Sequence, residues 1–390
     1  MLIKQNQIVV NGTTIEQGDL QAIANVASDV QAQLDAKADT TTVNTALNTK
    51  ANVEVGTSEP SSPTVGDLWF DTSVNTMSVY TGSYWQQISN NFTATGGSLS
   101  QYTDGGNTYK VHTFTSSGTF TVDSGSQNVD ILVVGGGGAG GFGHGAGGGG
   151  GAVMYRTGEK LFVGQYNIII GAGGSPTTGD GQNNSGNSTT AFGITATGGG
   201  SGANENGNDS SGRSGTGGSG ANGGGGSYGN LAGGSGNSPN ATGWTIYAGN
   251  TGANGGATGA PYICGGGAGA GGSASNGSQH AANGIQVNID GNNYYWAAGG
   301  GGATYDGGSS YPGGNGGLGG GGGASVDGGT QVAGSGGGSA INSGGSGTIG
   351  TNVVGGAGGQ NTGSGGGGGS NETGDGGAGG SGIVIIRYQI

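Results

Sequence analysis

"VDILVVGGGGAGGFGHGAGGGGG" (residues 129–151) sets an apolar strand directly against glycines. Such a join opens dinucleotide-binding folds, where a glycine loop wraps a pyrophosphate at a helix N-terminus and an acidic residue follows about twenty positions on. Here the glycines continue and then give way to "AVMYRTGEK" (152–160). No helix would tolerate that run, because each glycine costs roughly 1 kcal/mol relative to alanine in a helix interior. The fingerprint is therefore false, and the stretch reads as a strand handing over to a rod built of glycine.

The rest of the chain supports this reading. Of 390 residues 107 are glycine, 7% are charged and 30% are hydrophobic, too little apolar matter for a conventional core of this length. The net charge of −13 comes from 21 acidic against 8 basic residues. That balance argues against nucleic-acid binding, which needs clustered Lys and Arg. The single cysteine, Cys264, excludes an internal disulfide framework and reads as a small, part-buried residue. No run approaches the ~20 apolar residues of a membrane span, so no membrane insertion is expected, and "MLIKQNQIVV" does not read as a signal peptide.

The first hundred residues differ in kind. Residues 1–19 begin with a strand pair turned at Asn11-Gly12, a strong hairpin dipeptide. Leu20, Ile23, Ala27, Val30 and Leu34 then recur at spacings of three and four, and the seam resumes out of phase at Val43 and Leu47. This predicts an oligomerising coiled coil over 20–55, broken near Asp39–Thr42, with a core pattern that favours more than two strands. An amphipathic helix packed on its own chain is the other reading. A proline-marked linker (56–65) leads to a predicted three-stranded meander (66–95), which must trimerise with its copies or dock on the glycine-rich region beyond it, since it buries little alone.

Beyond residue 102 come four strand-like stretches, 109–122, 128–135, 158–171 and 382–390. About two hundred residues between the third and fourth carry neither helix period nor much apolar content. Collagen fails for lack of a triplet and of proline, and a calcium-binding β-roll fails for lack of a fixed period. Flexible linker is the compositional default, yet linkers do not interleave aromatics between runs of similar length. The remaining reading is a bundle of polyglycine-II helices, extended and left-handed at three residues per turn, whose outward N–H and C=O groups bond between neighbours. The expected fold class is thus mostly β plus non-regular structure. An N-terminal hairpin and short trimeric coiled coil precede a small meander and a glycine-rich domain (102–390) whose strands frame the helix bundle.

"HTFTSSGTFTV" (112–122), "VDILVVGGGGAGG" (129–141), "YNIIIGAGG" (166–174) and "GGSGIVIIRY" (379–388) closely resemble, in order and spacing, the glycine-rich C-terminal domain of bacteriophage tail fibres and related virion adhesins. "LDAKAD…LNTKAN" (34–52) and "GDLWFDTSVNTMSVY" (66–80) are similar to less specific units found upstream in such fibres. The resemblance implies a non-enzymatic virion protein, a homotrimer joined to other tail or baseplate proteins through residues 1–19, that binds a host surface receptor, glycan or outer-membrane protein. It also implies contact through loops at the distal end, here those carrying Trp244, Tyr247, Tyr262, Tyr294, Tyr295, Trp296, Tyr305 and Tyr311. These rings either form that contact surface or plug the ends of the bundle. A purely structural virion appendage is the alternative function. His112, His144 and His280 are too scattered for a metal site or triad by sequence; His144 reads as filling a gap between glycine helices, and no cofactor is expected.

Overall fold

The computed structural model describes residues 3–4, 7–10, 13–37, 53–73, 76–88, 92–180, 182, 184–205, 215–256, 261–305, 311–328, 330–350 and 353–390. Its regular structure is mostly β, with one helix among the described residues. The chain forms two units, Met1–Asn90 and Asn91–Ile390.

The first unit opens with β1 (Ile3–Lys4), β2 (Gln7–Val10) and β3 (Thr13–Glu16), paired antiparallel in that order. Val10 lies opposite Thr13, the register a two-residue turn imposes; the turn residues lie outside the described ones. Helix α1 (Gln17–Lys37) comes at once. Its first turn is closed by the Glu16 N–H, which donates to the Asp19 carboxylate at 3.0 Å, as the third helical residue does in a capping box. Leu20, Ile23, Ala27, Val30 and Leu34 fall within α1, where Val30 and neighbouring Val26 are exposed. Val43 and Leu47 lie outside the described residues.

A four-stranded sheet completes this unit, from β4 (Val53–Gly56), β5 (Leu68–Asp71), β6 (Thr76–Tyr80) and β7 (Trp85–Gln87). The expected meander had three strands; β4 is a fourth, parallel to β5, drawn from the end of the stretch assigned to the coil. The alternation Val53-Glu54-Val55 is the period-two signal that the helical reading absorbed. Trp69, Tyr80 and Trp85 share one face, with ring centroids 5.8 Å (Trp69–Trp85) and 5.4 Å (Tyr80–Trp85) apart.

The second unit is built on a nine-stranded sheet. Its strands are β8 (Thr93–Thr95), β9 (Ser98–Asp104), β10 (Asn107–Phe114), β11 (Gly118–Val134), β12 (Val153–Ile169), β13 (Thr189–Ala191), β14 (Ile194–Ala196), β15 (Thr245–Tyr247) and β20 (Ile383–Gln389). Four two-residue strands lie outside it: β16 (Tyr262–Ile263) pairs with β19 (Thr304–Tyr305), and β17 (Ile285–Gln286) with β18 (Tyr295–Trp296). C-terminal β20 inserts between β10 and β11, antiparallel to both. The end of β11 (131–134) and the start of β20 (383–386) are buried on both faces, which is why each is an unbroken apolar run. Ile131, Val133, Val384 and Ile386 join one core with Phe114, Phe120 and Met154. Leu132, Val134, Ile383 and Ile385 join the other with Val153, Ile289 and Trp296.

Glycine rods leave the sheet where these strands end. Residues 135–141 run outward from β11, turn at Phe142–His144, and return as 145–152 into β12. Gly143, at φ 70, supplies the left-handed residue this reversal needs. The amides of 135–141 point in three directions in strict rotation. Gly135, Gly138 and Gly141 donate to Ala152, Gly149 and Ala146; Gly136 and Ala139 donate to Asn187 and Asn184; Gly137 and Gly140 donate to Gly380 and Gly377. The return rod repeats the pattern: Ala146, Gly149 and Ala152 donate to Ala203, Gly200 and Thr197, while Gly147 and Gly150 donate to Gly265 and Ala268, and Gly148 and Gly151 to Gly366 and Gly363. Successive N–H groups thus find carbonyls on three different neighbours in turn, at 2.8–3.0 Å.

Such contact leaves no room for side chains. A Cβ at Gly141 would fall on the carbonyl oxygen of Ala203, and one at Gly147 on that of Gly300. Alanine interrupts the glycine at Ala139, Ala146 and Ala152, all fully buried.

Candidate functional site

The end of the rods away from the sheet gathers a cluster of rings. Its centre is His144, held by the turn that reverses the first rod. The Phe142 N–H donates to Asn204 Oδ1 at 2.9 Å, the Gly143 N–H to the Gly374 carbonyl at 2.9 Å, and the Glu205 N–H back to the Phe142 carbonyl at 3.1 Å. The His144 carbonyl accepts the Cys264 thiol at 2.8 Å and the Ser227 hydroxyl at 3.3 Å.

The imidazole lies among tyrosines from three further rods and loops. Its centroid is 4.8 Å from Tyr305, 5.6 Å from Tyr228 and 6.4 Å from Tyr262. Tyr262 and Tyr305 are opposed across the β16–β19 pair, with their rings stacked at 6.0 Å. Tyr228 meets Tyr262 edge to face at 5.0 Å. His144 Nδ1 lies 2.6 Å from Glu205 Oε1. The contact is short but off the angle of a hydrogen bond, so both ring nitrogens are buried without a hydrogen-bond partner. Burial pushes the Tyr228 hydroxyl up, and the carboxylates of Glu205 and Glu372 add to it.

The aromatic residues singled out in the sequence divide between two ends. Tyr262, Tyr305 and Tyr311 lie at the tip; Tyr311 is exposed, and its carbonyl accepts the Thr304 hydroxyl at 3.4 Å. The other five lie at the sheet. Trp244 packs against the core that contains Phe120 and Met154. Tyr247 stands opposite Val153 on β12. Tyr294 packs against the other core and the Tyr295 N–H donates to the Ser339 carbonyl. Trp296 has no exposed surface, and its indole N–H donates to the Val287 carbonyl at 3.1 Å. Trp296 thus belongs to the core on one face of the sheet.

Cys264, read as part-buried, is fully buried, because the strand β16 delivers it directly into the first buried turn of a rod. Tyr228 and Glu205 join the tip although nothing singled them out in the sequence. Each closes a glycine-rich stretch, "GGGGSY" (223–228) and "GGGSGANE" (198–205), and the first large residue after such a stretch marks a rod end. No three His, Cys, Asp or Glu side chains converge as metal ligands among the described residues, and no helix there is long and apolar enough to cross a membrane.

A family model described as a glycine-rich domain matches residues 113–359. No curated protein matches the chain.

Proposed function

Because the chain belongs to the family of glycine-rich domains, we propose that its rods are polyglycine-II helices and that the protein is a phage tail fibre component that binds a host bacterial surface receptor through the rod tips. The three-residue rotation of hydrogen bonds supports the first statement, since that is the period of the polyglycine-II helix. The observation that carries the second is the ring cluster: half-buried Tyr228, Tyr262 and Tyr305 meet at the end farthest from the sheet, next to exposed Tyr311. Tyrosine offers stiff contact area at low entropic cost, suited to recognition. In this reading α1 joins three copies through Leu20, Ile23, Ala27, Val30 and Leu34, and residues 1–19 attach to the virion.

The test is retention of the labelled full-length chain on a panel of bacterial envelopes, with competition against phage adsorption. Retention is expected on envelopes of a susceptible host. The double variant Tyr262→Ala/Tyr305→Ala should retain at least tenfold less while its unfolding curve stays cooperative. Equal retention by the double variant would move the contact away from the tip. Absence of retention on every envelope, with the protein located in the particle away from the tail, would make it a structural appendage.

A further inference from the structure

The second unit keeps its described lysines and arginines at one end. Every described lysine and arginine of this unit sits on a sheet strand: Lys110 on β10, Arg156 and Lys160 on β12, Arg387 on β20. At the tip, by contrast, Glu205 and Glu372 both act on the Tyr228 hydroxyl, and no described lysine or arginine faces them. Side-chain exposure is 9% for His144 and 12% for Glu205. His144 Nδ1 lies 2.6 Å from Glu205 Oε1, and both ring nitrogens are buried without a hydrogen-bond partner. Two carboxylates, an imidazole without hydrogen-bond partners and three tyrosine rings make a place that favours a cationic donor, which ring faces attract as well.

Resting on the receptor reading above, we propose that the tip recognises a primary ammonium group carried by a surface glycan, an amino sugar whose nitrogen is not acylated. The half-buried rings take the apolar face of the sugar, and Glu205 and Glu372 take its charge. Anionic glycans are rejected by the same carboxylates.

The probes are glucosamine tetramer, its fully N-acetylated counterpart and a lysine-rich peptide, titrated calorimetrically into the full chain. The glucosamine tetramer should bind at least tenfold more tightly than the acetylated one and weaken as salt is raised. Glu205→Gln and the exposed Glu372→Gln should each lower its affinity severalfold; the second variant guards against loss of fold in the first. Equal binding of the two tetramers, or binding of neither, overturns the proposal, and preference for the peptide assigns the ammonium to a protein instead. Envelope retention in the absence of tetramer binding would overturn this ligand class alone and leave the receptor reading standing.

Discussion

Asp130 and Arg387 are 257 residues apart in the chain and face each other in register across β11 and β20. Asp130 Oδ2 accepts from Arg387 Nε and Nη2, each at 2.9 Å. The guanidinium also donates to Tyr102 Oη and the Asn288 carbonyl, and it lies 5.1 Å from the Tyr109 ring centre. One side chain thus ties the last strand to both neighbours. Asp130→Ala should cost about 1–3 kcal/mol, between the values for exposed and buried pairs. Urea unfolding measures it; a loss below about 0.5 kcal/mol would show the pair to be ornamental.

The rods predict an unusual intolerance of alanine. Gly147→Ala places a methyl on the Gly300 carbonyl oxygen, so two backbones must part and their hydrogen bonds lengthen. A loss of about 3 kcal/mol is expected, the upper end of overpacking. Gly272 has open space at its Cβ position, and Gly272→Ala should stay within about 0.5 kcal/mol of the parent. Similar melting temperatures for the two variants would contradict close rod packing.

Burial holds the His112 imidazole below the usual histidine range; its hydrogen bond to the Gly96 carbonyl opposes this, and the Lys110 charge adds to it. The unfolded chain therefore takes up a proton near pH 6.5 while the folded one does so only at lower pH. Stability contributed by the neutral, buried ring is fully present above about pH 6.5 and is lost as pH falls from there toward the folded value. Thermal unfolding of the parent should steepen in its pH dependence over that window relative to His112→Gln, and parallel curves would refute the assignment.

Burial likewise pushes the Cys264 thiol up to about 12, which leaves almost no thiolate at neutral pH. A chromogenic disulfide at pH 8 should therefore titrate no thiol in the native chain and one thiol per chain in guanidinium chloride. Rapid native reaction would mean that the tip opens.

The strands were legible because their signal is local. "ILVV" (131–134) and "IVII" (383–386) are unbroken apolar runs, and strand segments buried on both faces ask for nothing else. The failed helix after Val134 was equally legible, since glycine's helix cost belongs to the residue. β4 was missed because three residues of alternation at the end of a heptad stretch are too few to separate two periods. Trp296 and Tyr262 carried the same sequence signal, an aromatic beside a glycine run, and the fold sends one to the sheet and the other to the tip.

What the sequence determined by itself was that glycine must be packed against glycine: nothing else in the chain could fill a domain of this length. Which rod lies beside which was decided only by tertiary structure. A polyglycine segment has no side chains to specify a neighbour, and its amides accept any carbonyl at the right spacing. The order is set instead by the strands and turns at the rod ends, where Val134, Ile383 and Trp296 fix the base and His144 with its tyrosines fixes the tip.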